Sequence, residues 1–297
     1  MSSQIVRLEN LWFIRGKNKG KYPYCHSLFL HEAGILIDPA SDRETLRELR
    51  DKGQVKAIWL SHWHEDHFKD LDLFEDMPFY ITREDAPPLS SLEEFLAGYD
   101  SEEDFQYWQQ VLLEEFHFRP RHPAGYLTPN TTIELPGVSV EIVAAPGHTP
   151  GHIALFFRET GILFLGDYDL TPFGPWYGDH NSSIEDTISS LHRLRSIPAR
   201  LWVTSHEQGI FTHPPEELWD RYEKIIYERE EKLLSALGKP LTLEEIVNLW
   251  IIYGRPREPR AFFAFGERAH MKKHLQNLIE RGMVRKIGDR FIRSDII

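Results

Sequence analysis

Within six residues, His62-Trp63-His64-Glu65-Asp66-His67, this chain places three imidazoles and an aspartate in an H-x-H-x-D-H pattern. Such crowding is unfavourable unless something binds it. Protonated imidazoles repel one another, and buried ones strand polar atoms. A divalent cation removes both costs, because neutral imidazole and carboxylate are ordinary ligands of zinc, iron and manganese. Any fold of this chain must bring these side chains to one point. Three later segments offer more of a ligand set. They are His148 in Pro146-Gly147-His148-Thr149-Pro150-Gly151-His152, Asp167 in Phe164-Leu165-Gly166-Asp167, and His206 in Thr204-Ser205-His206.

Each of these groups follows a short apolar run. Val55-Lys56-Ala57-Ile58-Trp59-Leu60 precedes Ser61, Ile142-Val143-Ala144-Ala145 precedes Pro146, Ile162-Leu163-Phe164-Leu165 precedes Gly166, and Leu201-Trp202-Val203 precedes Thr204. Short apolar runs closed by Gly, Pro or polar residues read as buried strands. Ligands on the loops after rigid strands can be held within metal-site tolerance. Four segments converging at one sheet edge point to a metal-dependent hydrolase.

Together with Ile35-Leu36-Ile37-Asp38, these motifs resemble the metallo-β-lactamase-fold hydrolase superfamily over residues 5–210. The resemblance implies an α+β fold, an αββα sandwich of two mixed sheets with helices outside. It further implies that His62, His64 and His148 hold one metal and that Asp66, His67 and His206 hold a second, with Asp167 bridging. Two divalent ions per chain are expected, zinc first, with iron or manganese as alternatives.

Asp38 closes an apolar strand and is expected to orient a ligand histidine, against the reading of a plain turn residue. His152 is expected to pack or hydrogen-bond behind the ligands. His26, His31, His117, His122, His192 and His213 read as surface or satisfied core residues, and Cys25 as a buried small hydrophobe. Trp176 and Tyr177 lie in a Pro/Gly-rich loop after Asp167, where they are expected to line a substrate pocket rather than simply pack.

Composition narrows the class. The length of 297 residues suggests about two domains. A single cysteine excludes an intramolecular disulfide and fits a reducing compartment. Met1-Ser2-Ser3-Gln4-Ile5 opens no apolar signal segment, and no stretch approaches the ~20 apolar residues of a membrane span. A cytoplasmic protein with no membrane partner is expected. Net charge is −12, yet residues 240–297 hold 11 Lys+Arg and 7 Asp+Glu. The remaining residues hold 23 and 39, an acidic body that repels a nucleic-acid backbone unless a basic groove exists. Nucleic acid is therefore not the expected partner.

The expected division is a catalytic domain over 1–213, a connecting helix over 214–239 and a small, mostly helical, winged-helix-like module over 240–297. In the module, Thr242-Leu243-Glu244-Glu245 is a capping-box pattern. Met271, Leu275 and Ile279 fall at helical spacing, Gly282 suits a C-cap, and Gly288-Asp289 suits a hairpin turn. A similar tail occurs in lactamase-like endoribonucleases. Arg268, Lys272 and Lys273 give its second helix a basic face, but packing on the catalytic domain or across a homodimer is the preferred reading. Residues 70–125 read as a partly helical insertion. Helix starts are expected at Ser91-Leu92-Glu93-Glu94 and Ser101-Glu102-Glu103-Asp104, and Phe105, Trp108, Leu112 and Phe116 form a stripe that is either a lid over the metals or a plug in the core.

The expected chemistry is hydrolysis by a water acidified between two cations. Asp66 would orient that water and carry a proton to the leaving group, with Glu207 a weaker candidate for proton transfer. An ester or thioester of a small intracellular metabolite is the favoured substrate. The alternatives are a phosphodiesterase or endoribonuclease with the same two metals, a mononuclear iron sulfur dioxygenase, and a non-enzymatic regulator that binds a ligand and nucleic acid.

Overall fold

The computed structural model describes residues 4–99 and 105–296. Strands β1 (Ile5–Leu8), β2 (Leu11–Ile14), β3 (Ser27–Leu30), β4 (Ile35–Ile37), β5 (Ala57–Trp59), β6 (Phe79–Ile81) and β7 (Gly125–Tyr126) form one sheet in that order. Its first four strands pair antiparallel and its last four parallel. A second sheet runs β13-β12-β11-β10-β9-β8. Its strands are β8 (Thr131–Leu135), β9 (Val138–Ala144), β10 (Ile153–Phe157), β11 (Ile162–Phe164), β12 (Leu201–Val203) and β13 (Ile210–Phe211).

Side-chain alternation with period two builds the layers. Leu28, Leu30, Ile35 and Ile37 point into the space between the sheets, where they meet Val140, Ile142, Leu155 and Phe164. Phe29 and Leu36, from the same strands, point outward and pack with Leu46, Phe95 and Leu112 of the helices Arg43–Asp51, Leu92–Gly98 and Phe105–Glu114. Ala154 and Leu163 do the same on the second sheet, against Leu191, Leu194, Trp219 and Tyr222 of helices Ile184–Arg195 and Glu216–Ala236. The result is the αββα sandwich. Full burial of each large apolar side chain contributes roughly 1.5–3 kcal/mol.

Helix starts follow local chemistry. Asp42, Ser91 and Ser183 each accept a hydrogen bond from a backbone N–H three residues on. The expected start at Ser101–Asp104 and the side chain of Phe105 lie outside the described residues. The segment 70–125 is not a simple insertion, because it supplies β6 and runs into β7 of the first sheet. Its helix ends at Glu114, before Phe116, yet Trp108, Leu112 and Phe116 are all buried.

The C-terminal segment runs from the helix Glu216–Ala236 through β14 (Leu241–Thr242), the helices Leu243–Val247 and Arg260–Glu280, β15 (Val284–Ile287) and β16 (Arg290–Arg293). The three strands form an antiparallel sheet with β16 in the centre. Thr242 and Glu245 form the capping box. The apolar stripe differs from the expected one. Met271, Leu275 and Leu278 are buried, whereas Ile279 is 38 % exposed, because 3.6 residues per turn carry the buried face to position 278. The basic side chains of this helix are engaged within the chain. Arg268 pairs with Glu244, and Lys273 donates to the His180 carbonyl. No helix among the described residues is long and apolar enough to cross a membrane.

Candidate metal centre

The loops after β4, β5, β9, β11 and β12 carry Asp38, the His62–His67 run, His148, Asp167 and His206 respectively. His64 is the N-cap of a one-turn helix, Glu65–Phe68, so Asp66 and His67 project from its first turn while His62 precedes it. Glycine is required at two bends. Gly147 has φ of +123°, and a Cβ there would lie 2.3 Å from the Thr187 nitrogen. Gly166 has φ of +60°, and a Cβ there would lie 2.5 Å from His152 Nε2.

The seven expected ligands fall into two adjoining groups. His62, His64, His148 and Asp167 form one, and Asp66, His67 and His206 the other. His62 Nε2 is 3.0 Å from His64 Nδ1 and 3.2 Å from His148 Nε2. Asp167 faces both groups. Its Oδ2 lies 3.3 Å from His148 Nε2 and 3.9 Å from His62 Nε2. Its Oδ1 lies 2.9 Å from His67 Nε2 and 3.2 Å from His206 Nε2. Asp66 Oδ2 is 3.7 Å from His206 Nε2.

The other nitrogen of every ring is held from outside. His64 Nε2 donates to Asp179 at 2.8 Å, His67 Nδ1 to Asp38 at 3.0 Å, and His148 Nδ1 to the Trp176 carbonyl at 3.1 Å. His206 Nδ1 donates to the Gly20 carbonyl. Ser61 Oγ donates to Asp38 and accepts from His62 Nδ1 at 3.0 Å. This pattern leaves a lone pair on the inward nitrogen of all five rings, as a metal ligand requires. His67 Nε2 and Asp167 Oδ1 are buried without a completed hydrogen bond. Orphaned buried atoms at the meeting point of converging donors fit a pair of cations, and the residues present suffice to hold them.

Protons compete for the same lone pairs. Burial lowers the basicity of His206, but the carboxylates of Asp167 and Asp66 outweigh it and push its pKa up to about 10. Burial also opposes charge on Asp167, yet His67 and His206 hold it well below the usual carboxylate range. His62, buried among other imidazoles, is well below the ordinary histidine value. Cation loading must therefore displace protons.

Asp38 is fully buried and also accepts from the Ser61 N–H at 2.8 Å, so it braces the strand end as well as His67. His152 Nε2 accepts the Asp167 N–H at 3.2 Å, which places it behind the ligands. His26 is a satisfied core residue that accepts the Gly16 N–H. Cys25 is buried, and burial pushes its thiol up to about 12. Trp176 lines the cavity over the site. Tyr177 does not. It is fully buried on the other side of the loop, bonded to His274 at 2.9 Å and to Arg229 at 3.1 Å, because an adjacent residue in an extended loop points the opposite way. Glu207 lines the cavity rim and pairs with Lys21 at 3.2 Å.

Several supports escape sequence reading. Asp179 holds His64 and also accepts from Trp176 Nε1 at 2.8 Å. Asp85 accepts from Thr149 and from the Gly151 N–H, pinning the turn that carries His148. Glu65 is buried at the cavity floor, where it accepts from the hydroxyls of Tyr22 and Tyr99. No local pattern marks them, since Asp85 follows Arg83-Glu84, Asp179 precedes His180-Asn181, and Glu65 stands inside the His62–His67 run.

Residues 24–206 match the family model of the metallo-beta-lactamase superfamily. The chain is 29 % identical over 195 residues to a hydroxyacylglutathione hydrolase of Crocosphaera subtropica, covering 60 % of this chain and 62 % of that one. That is less than two thirds of the relative's length. It is 27 % identical over 253 residues to a probable metallo-hydrolase of Bacillus subtilis, covering 80 % and 83 %. Among solved structures, a metallo-beta-lactamase family protein of Thermus thermophilus superposes with a TM-score of 0.67 at 24 % identity, over 95 % of this chain and 93 % of that one.

Proposed function

Because the chain belongs to the metallo-β-lactamase superfamily, we propose that it is a binuclear metal-dependent hydrolase of a small carboxylic ester or thioester. The observation that carries this reading is the Asp167 carboxylate. It turns one oxygen to each ligand group, while five imidazoles each direct a ring nitrogen toward the same small volume. Two zinc ions are the proposed occupants, with His62, His64, His148 and Asp167 holding one and Asp66, His67, His206 and Asp167 the other. Such ions supply Lewis acidity and lower the pKa of a bound water from 15.7 toward about 7.

The chain's own groups do the rest. Asp66 lines the cavity, where its carboxylate orients the attacking water and returns a proton to the leaving group. Tyr22 and Tyr99, fixed by Glu65, set a polar floor beside it. Trp108, Trp176 and Phe265 line the apolar wall and exclude bulk water. A relative named for hydrolysing a hydroxyacylglutathione, which is a thioester, supports acyl transfer to water over phosphodiester cleavage. The test is turnover of acyl thioesters, carboxylic esters and a phosphodiester by zinc-loaded protein, with Asp66→Asn as control. Acyl substrates turned over by the wild type and at least 100-fold less by the variant support the reading. Cleavage of the phosphodiester alone overturns it.

A further inference from the structure

The cavity above the site encloses about 530 Å³, within the roughly 300–1,000 Å³ usual for ligand pockets. One wall is a relay of rings that starts on a metal ligand. His64 stacks with Tyr99 at 5.9 Å, and Tyr99 meets Trp108 at 5.4 Å. Trp108 meets Phe262 at 5.7 Å, and Phe262 meets Phe263 at 5.1 Å. The last two rings come from the C-terminal helix Arg260–Glu280, so the segment after residue 240 builds the part of the cavity remote from the ligands.

The relay ends on a guanidinium. Arg257 lies over the rings of Phe263 and Tyr253, 5.7 Å from each centroid. Among the described residues it has no carboxylate partner, whereas its cationic neighbour on the cavity rim, Lys21, is paired with Glu207. The side chain is exposed, and its contact with two rings leaves the planar donor fork available, the geometry that recognises carboxylate and phosphate oxygens. An apolar trough of rings favours a flat group that can stack, since aromatic pairs gain beyond their buried area.

We infer that this cavity takes a substrate with a planar, apolar acyl group bearing an oxyanion at the end remote from the scissile bond, with Arg257 as the specificity-determining residue. The inference rests on the hydrolase reading for the reaction and on these residues alone for the ligand. It gives the C-terminal segment a role in substrate choice.

The experiment uses the full chain, zinc-loaded, and thioesters of one thiol with phenylacetate, 4-carboxyphenylacetate and 4-phosphonophenylacetate. Binding of the matching non-hydrolysable thioethers is measured alongside. The wild type is expected to prefer at least one charged compound over phenylacetyl by roughly 10- to 100-fold, the size of one charge-assisted hydrogen-bond pair. Arg257→Gln is expected to collapse that preference. A carboxylate preference and a phosphonate preference identify which oxyanion is read, and either supports the inference. Thioesters hydrolysed with no preference, or a preference untouched by Arg257→Gln, overturn it while the hydrolase reading stands. If no thioester is cleaved but the thioethers show the preference and its loss in the variant, the hydrolase reading fails and the ligand assignment stands.

Discussion

His148 Nδ1 lies 3.1 Å from the Trp176 carbonyl oxygen, so the backbone of one loop fixes the ring of a proposed ligand carried by another. Three residues further on, Asp179 fixes His64. That loop is in turn pinned by the buried Arg229, which donates to the carbonyls of Phe173 at 2.6 Å and Pro175 at 2.8 Å. Replacing Arg229 by Met leaves those carbonyls unpaired and lets the loop shift. Affinity for the cation proposed at His62, His64 and His148 is expected to fall by up to about 10-fold, less than the roughly 10- to 100-fold cost of losing a direct partner of a metal ligand, because Arg229 acts through the loop. The Asp66–His67–His206 side should change less, and Arg229→Lys should recover part of the loss. Metal titration of the folded variants checks this, and equal affinities in wild type and Arg229→Met would contradict it.

The Asp38 carboxylate accepts three hydrogen bonds from a fully buried position, from the Ser61 N–H, Ser61 Oγ and His67 Nδ1. Asp38→Ala strands all three donors. Metal affinity on the His67 side should drop by roughly 10- to 100-fold, and thermal stability should fall as well. Asp167→Ala removes a ligand from both groups and should cost more than Asp38→Ala in any activity assay. The reverse order would show that Asp38 itself contacts metal or substrate.

The C-terminal helix buries His274 against Tyr177, with His270, Arg229 and Arg281 nearby. Burial, followed by the repulsion of Arg229 and Arg281, lowers the His274 pKa from the ordinary histidine value of 6.5 to about 3. A depressed pKa means that the unfolded chain takes up a proton before the folded one does. The stability this group contributes is present above pH 6.5 and is lost as the pH falls from there toward 3. Between pH 7 and pH 5 the loss is on the order of 1–2 kcal/mol. His274→Gln keeps an acceptor for the Tyr177 hydroxyl without titrating. Its urea midpoint should therefore depend less on pH than that of the wild type over this window, and identical pH profiles would refute the assignment.

The converging cluster of His and Asp side chains was legible because it is local. Four of its members sit on one short stretch of chain, and the rest stand directly after apolar strands. The brace at Asp38 could be read for the same reason. What holds the other rings could not. The partners of His148 and His206 are backbone carbonyls at Trp176 and Gly20, which any residue type supplies. Asp179 reaches His64 only through the folding of a loop. Trp176 and Tyr177 are equivalent as neighbouring aromatics in the sequence, and only the loop's course separates the cavity wall from the buried side. In the C-terminal segment the caps and the hairpin turn were readable, since Thr242, Glu245 and Gly288 act on their immediate neighbours. Its contribution to the cavity depends on long-range packing of Phe262, Phe263 and Phe265, for which no local pattern exists.

The central claim is that one carboxylate, Asp167, joins two cation sites. Its most direct test is metal content by mass spectrometry after zinc saturation and desalting, for the wild type and Asp167→Ala. Two zinc ions per wild-type chain are expected, with loss from both sites in the variant. A wild type that saturates at one ion, with Asp66, His67 and His206 unligated, or a variant that still holds two, would contradict the account.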